Sequence, residues 1–174
     1  MTVSVGLGAI LLTTITSSSV YATVDQGNAY HLGRLHNSEW LVASEATKLK
    51  ALTWATRQLD DLQWAGDRVS TIQVLRWPRN YVNDRDGTPL DNTAIPQVLI
   101  NATAELAWEG LKADRTVDNS AIGIRKVLAG AVNVHFDRFD RPTRIPVAVS
   151  RMISHILEPG GAGTGGAVAT LLRS

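Results

Sequence analysis

The chain has no cysteine among its 174 residues, which excludes disulfides, thiolate nucleophiles and every metal site built on cysteine sulfur. It also lacks a strong charge of either sign, since 17 Lys and Arg stand against 16 Asp and Glu for a formal net charge of +1. A duplex-DNA binder carries a markedly basic footprint, and the whole-chain balance shows none. Long apolar runs are missing as well: Val5 to Leu12 (VGLGAILL) is too short to span a bilayer. It has the look of a signal-peptide core before a small-residue site at Val20-Tyr21-Ala22, but no basic residue precedes Arg34, so an extended structural arm is the reading preferred over a cleaved leader. Hydrophobic residues at 44% and charged residues at 19% argue against wholesale disorder. The length suits one globular domain with terminal extensions.

What is present is mainly a helical pattern. Residues 1–22 are β-prone, with Val3, Val5, Ile10 and Ile15 among Gly, Ser and Thr and no charge, and read as an extended N-terminal arm that needs something to pair with. Thr23-Val24-Asp25-Gln26 has the form of a capping box, which predicts a first helix to about His36. Ser44 caps a second, longer helix in which Leu49, Leu52, Ala55, Leu59 and Leu62 share a face. Residues 64–95, broken by Gly66, Pro78, Gly87 and Pro89, read as an irregular loop anchored by Trp64 and Trp77. A third helix begins near Pro96, with Val98, Ala102, Leu106 and Leu111 inward and Trp108 flanking them. The stretch 122–136 predicts a β-hairpin about Ala129-Gly130, with Val132, Val134 and Phe136 alternating with Asn133 and His135. A fourth helix is expected from Pro146 to Leu157, and the Gly-rich end from 158 to 174 reads as a linker-like tail. The fold class is therefore mainly α, a bundle of about four helices over residues 23–157 with a hairpin and two extended arms.

No motif assembles a catalytic or cofactor site. Asn83-Asp84-Arg85-Asp86-Gly87 has a calcium-loop look, but Gly87 at the sixth position puts Val82 at the first and Thr93 at the twelfth, where acidic ligands are needed. A turn with Asp86-Gly87 at its corner explains it. His31 and His36 are five apart, which spoils a shared helix face, and with His135 and His155 they read as surface or boundary residues. Gly6-Leu7-Gly8 and the tail glycines lack the rest of any phosphate-binding fingerprint. Asn101-Ala102-Thr103 has the form of a glycosylation acceptor, but it falls within a predicted helix. Five tryptophans, at 40, 54, 64, 77 and 108, read as core or loop anchors in preference to base-stacking platforms. Arg76-Trp77-Pro78-Arg79 is the exception, where two arginines around an aromatic can stack on bases or bind phosphate. From Arg115 to Arg151 basic residues outnumber acids, either as a solvated face or as a contact surface for an acidic partner. Neither an enzyme nor a cofactor is expected.

The order of Tyr21-Ala22-Thr23-Val24, Asn28-Ala29-Tyr30, Ala55-Thr56 with Leu59-Asp60, Trp64 with Gly66, Leu75 to Arg79, Asp84 to Gly87, Ile95-Pro96 and Ala102 to Ala107 resembles a tailed-phage and prophage family. That family carries the label DnaT-like single-stranded-DNA-binding protein, and it looks like the head–tail connectors, or adaptors, that sit beneath the portal. The resemblance runs from about Val20 to Leu111 and is weaker beyond. It departs at the N-terminus, where an apolar stretch stands in place of an acidic one.

The resemblance implies a structural virion subunit at the neck, assembled in the host cytoplasm as a homo-oligomeric ring of twelve. Its partners would be the portal protein, a tail, tail-terminator or nozzle protein, and genomic DNA passing through the lumen without sequence preference. Candidate portal or subunit contacts are Val3, Val5, Ile10, Trp77, Val168, Leu171 and Leu172, from segments with more apolar surface than a monomer satisfies. Candidate DNA-facing residues are Arg125, Lys126, Arg138, Arg141 and Arg144. The alternative reading is non-specific single-stranded-DNA binding.

Overall fold

The computed structural model describes residues 19–116 and 144–159 in full, and between them the backbone of two paired strands. The elements are α1 (Val24–Leu32), α2 (Ser38–Val42), α3 (Glu45–Asp60), β1 (Asp67–Arg68), β2 (Arg79–Asn80), α4 (Gln97–Lys112), β3 (Lys126–Ala129), β4 (Val132–His135) and α5 (Val147–Ile153). A 3₁₀ turn, Ser154–Ile156, tightens the end of α5.

Helix α1 starts where the capping box places it. The Thr23 hydroxyl accepts from the Gln26 N–H at 3.2 Å, and Gln26 Oε1 accepts from the Thr23 N–H at 2.9 Å. It stops at Leu32, short of His36, and a five-residue helix α2 follows that the sequence pattern did not reveal. The Asn37 side chain joins the two by donating to the His31 carbonyl at 2.6 Å. Ser44 Oγ accepts from the Thr47 N–H at 3.2 Å and opens α3; Leu52, Ala55 and Leu59 form its buried stripe, as their spacing predicts.

Helix α4 is the centre of the molecule. Residues Ala102 to Trp108 are buried without interruption, so its middle turns have no solvent face, the mark of a helix enclosed by others. Helices α3, α5, α1 and α2 pack around it. Pro96 stands at its N-cap, one place before the expected first helical position, and Val98 and Leu111 lie half-buried at its ends. The core is completed by Val149 and Ile153 of α5 and by Tyr21 and Ala22 ahead of α1. The Tyr21 N–H donates to Thr56 Oγ1 at 3.1 Å, and its hydroxyl donates to Asp60. Burial first, then the Asp60 carboxylate, pushes the Tyr21 phenol far above its ordinary range.

The long loop between α3 and α4 is held by its aromatics. Trp64 and Trp77 meet edge to face with centroids 5.7 Å apart, and both are buried. The Trp77–Pro78 bond is cis. Arg79 donates to the carbonyls of Trp64, Ala65 and Gly66, tying β2 to the strand opposite, where Asp67 pairs with Asn80 and Arg68 with Arg79. Gly66 has φ +69° and lies so close to the Asn80 carbonyl that no Cβ fits. Gly87, at φ +82°, turns the chain while Asp84 Oδ1 accepts from the Asp86 and Thr88 N–H groups. This is the Asp-Gly turn expected in place of a calcium loop. The hairpin also forms, antiparallel, with Lys126 opposite His135 and Ala129 opposite Val132.

Candidate assembly surfaces

Two surfaces stand out because they expose what a small domain normally hides. The first is the corner where α1 turns into α2. Leu32, Leu35, Leu41 and Val42 all point to solvent there, Leu35 at 88% exposure. The second is the loop ahead of β2, where Val69, Ile72 and Val74 are exposed, Ile72 at 89%. Seven of the ten exposed large hydrophobics among the described residues fall in these two places. Single exposed apolar residues need no explanation, but clusters of them mark interaction sites.

The corner is held from below by a buried polar cluster. Glu105 of α4, with its side chain only 5% exposed, takes an ion pair from Arg34 and accepts a hydrogen bond from the Tyr30 hydroxyl at 3.1 Å. The Arg34 guanidinium also lies 3.7 Å from the centre of the Trp108 ring, and Lys112 Nζ lies 3.0 Å from it. His31 is buried beside them, donating from Nε2 to the Ala104 carbonyl at 3.1 Å and stacking on Trp40 with centroids 4.4 Å apart. This corrects the expectation of a surface or boundary histidine. Burial holds the His31 imidazole below its ordinary range, against an opposing hydrogen bond to Ala104 and the Glu105 charge. Burial and the same carboxylate push the Tyr30 phenol up. Trp40 Nε1 donates to Asn28 Oδ1 at 3.0 Å, an oxygen that also accepts from Lys48 at 3.0 Å. The corner is thus a ledge of aliphatic side chains tied to α4 by these polar and aromatic contacts.

The second surface is concave. Val20, Ile72, Val74, Leu75, Pro78 and Ile95 line most of an open groove of about 510 Å³. Its wall is shaped by Gln73, whose amide donates to the Leu75 and Pro78 carbonyls at 2.8 and 3.1 Å. Arg68 donates to the Gln73 carbonyl at 2.7 Å. A smaller cleft of about 220 Å³ lies between α3 and the end of α4, lined by Trp54, Gln58, Leu106 and Arg115 among others.

The sequence-predicted residues fall unevenly on this geometry. Trp77 borders the groove but is 1% exposed and packed in the core, so its ring offers no face to a partner or a base. Arg79, its expected companion in phosphate contact, is committed to three loop carbonyls. Arg144 is exposed, and Lys126 belongs to β3, opposite His135. Val3, Val5, Ile10, Arg125, Arg138, Arg141, Val168, Leu171 and Leu172 lie outside the described residues. Four of the five tryptophans are buried and Trp54 is 44% exposed. Sequence reasoning singles out neither the apolar corner nor Glu105: Leu32 and Leu35 fall within the expected first helix, and Leu41 and Val42 lie between the two expected helices.

No group of three or more metal-ligating side chains occurs among the described residues, and no helix among them is long and apolar enough to cross a membrane. The fold defines a small, mainly helical domain with an antiparallel hairpin and two separate apolar faces. The chain belongs to the family described as "Putative DnaT-like ssDNA binding protein", whose model matches residues 13–174. Neither a curated protein nor a solved structure matches it.

Proposed function

We propose that this protein is a structural subunit that assembles with copies of itself into a ring, acting as the head–tail connector between portal and tail of a phage. The observation that carries the reading is the pair of exposed apolar faces at opposite ends of α4. Ile95, next to the start of that helix, lines the groove. Arg34, set between two corner leucines, contacts Glu105 and Trp108 in its later turns. Trp108 lies eleven helical residues beyond Gln97, the first residue of α4, about 17 Å at 1.5 Å each. Two different faces set apart on one chain favour head-to-tail contacts, which close into rings when the rotation between subunits allows. The phage setting and the portal as partner rest on the resemblance of the residues between Val20 and Leu111.

The test is the mass of the purified protein, alone and with portal, by native mass spectrometry. A closed oligomer, or one that forms on portal, supports the connector. A strict monomer indifferent to portal refutes it.

A second reading follows the family description and the half-exposed Trp54, which shares its cleft with Arg115. Stacking on an aromatic beside a cation is how sequence-tolerant single-strand binders hold bases. Salt-sensitive oligonucleotide binding that Trp54→Ala abolishes would put this reading first.

A further inference from the structure

We infer that the α1–α2 corner of one copy seats in the Ile72–Ile95 groove of the next, and that this contact is the repeating joint of the assembly. The inference rests on the ring reading and specifies its interface.

Polarity agrees. The corner carries exposed aliphatic side chains over the contacts of Arg34 with Glu105 and Trp108. The groove is concave, and its lining is dominated by aliphatic side chains. Neither can cover the other within one chain, because they lie toward opposite ends of α4.

Charge selects the pairing. Residues 32–46, which span the corner, contain Arg34, Glu39 and Glu45; Arg34 is paired with Glu105, which leaves the two carboxylates. Residues 68–78, which form most of the groove wall, contain Arg68 and Arg76 and no Asp or Glu. Asp67 and Arg79, just outside this stretch, offset each other in sign. Glu45, Arg68 and Arg76 are exposed, and Glu39 is half-buried. Corner on corner would set acid against acid, and groove on groove base against base, whereas corner in groove brings opposite signs around an apolar centre. Such complementarity suppresses wrong pairings and fixes register more than it adds affinity. Leu35 and Ile72, being large, apolar and almost fully exposed, are the central contacts, flanked by Leu41 and Val74.

A head-to-tail joint has a property that a two-fold joint lacks: damage to one half leaves the other half usable. The experiment uses two variants of the full chain, Leu35→Gln with Leu41→Gln for the corner and Ile72→Gln with Val74→Gln for the groove. All four positions are exposed, and unchanged circular dichroism and unfolding midpoint confirm the fold of each variant. Native mass spectrometry and light scattering, with and without portal, then read the assemblies. Each variant alone is expected to need at least about 30-fold more protein to assemble than the natural chain, the effect of losing a central anchor. Mixed, they should form a species of two chains that grows no further, since the corner-damaged copy supplies a sound groove and the groove-damaged copy a sound corner. Glu39→Lys should weaken assembly and Arg76→Glu in the same chain should restore it.

Natural protein that assembles while both variants assemble equally well overturns this joint and leaves the ring reading standing. So does loss of assembly in both variants with a mixture that stays monomeric, whereas a natural assembly that stops at two chains overturns the joint and the ring together. A natural chain that never assembles, even on portal, overturns the joint together with the ring.

Discussion

The ion pair beneath the corner gives an asymmetric prediction. Its two members are unequally hidden, Arg34 at 28% side-chain exposure and Glu105 at 5%. Replacing Arg34 with Met preserves much of the aliphatic packing but strands the carboxylate with one neutral donor, the Tyr30 hydroxyl at 3.1 Å. Removing one partner of a buried pair costs about 3–5 kcal/mol, and because Arg34 lies partly open to water the lower end, about 3 kcal/mol, applies. The stacking of the guanidinium on Trp108 is lost as well, but Lys112 still covers that ring. Replacing Glu105 with Gln is milder, because the amide keeps an acceptor for Arg34 and Tyr30 and the guanidinium can turn to solvent. That change should cost about 1 kcal/mol, the value of one hydrogen bond. Urea unfolding followed by tryptophan fluorescence reads both, with the slope unchanged if only stability moves. The ordering is the point: Arg34→Met should lower the folded-to-unfolded ratio roughly 150-fold and Glu105→Gln roughly 5-fold. Equal losses, or a larger loss for Glu105→Gln, would refute the argument that burial of the carboxylate sets the energetics. The double variant Arg34→Met with Glu105→Leu should recover most of the loss, since an apolar replacement leaves no charge stranded.

Gly27→Ala should destabilise the protein by about 1 kcal/mol despite the better helix propensity of alanine. The new Cβ would sit 2.7 Å from Trp40 Cζ2, and overpacking of that kind costs about 1–3 kcal/mol against a gain of about 1 kcal/mol; the thermal midpoint decides the sign. Arg79→Lys should loosen the loop, because one ammonium cannot span the three carbonyls that the guanidinium reaches. Amide exchange at residues 66–80 should rise roughly 10-fold while the helices keep their protection. For pH, His31 is held neutral by burial, its folded value lying below the ordinary one. The unfolded chain therefore takes up the proton first, so stability is full above pH of about 6.5 and falls as the pH drops toward the folded value. Tyr30, Arg34, Lys48 and Glu105 surround it and are unaltered in His31→Asn, whose stability curve between pH 7 and 5 should be flatter than that of the natural chain.

What the sequence reveals and what it hides divide along a physical line. Local chemistry is legible: the Thr23–Gln26 box, the Ser44 cap, the stripe Leu52-Ala55-Leu59 and the Asp86-Gly87 turn each depend on residues within a few positions of one another, and each forms. Helix α2 is hidden because five residues hold too little of a period to register. His31 is hidden because the buried face of α1 is made by Gly27 and His31, neither of which reads as apolar. Glu105 is hidden for the opposite reason: in a stripe-bearing helix a carboxylate reads as the solvent side, but α4 has no solvent side through its middle turns. The arginine and tryptophan of the motif Arg76-Trp77-Pro78-Arg79 that suggested nucleic-acid contact are spent on holding the loop, which no local rule could distinguish from recognition. The same limit applies to the corner. Leu32, Leu35, Leu41 and Val42 have the composition of a core, and a hydrophobic pattern records only that a side chain should leave water, not whether its own chain or a neighbouring one will cover it. Here the chain's own core is complete without them, while an exposed apolar groove with opposite flanking charge lies toward the other end of α4. The uncovered leucines therefore take no part in that core. That is why glutamine at Leu35 should leave the unfolding midpoint unchanged, whereas alanine at fully buried Leu59 should lower stability by about 2–5 kcal/mol.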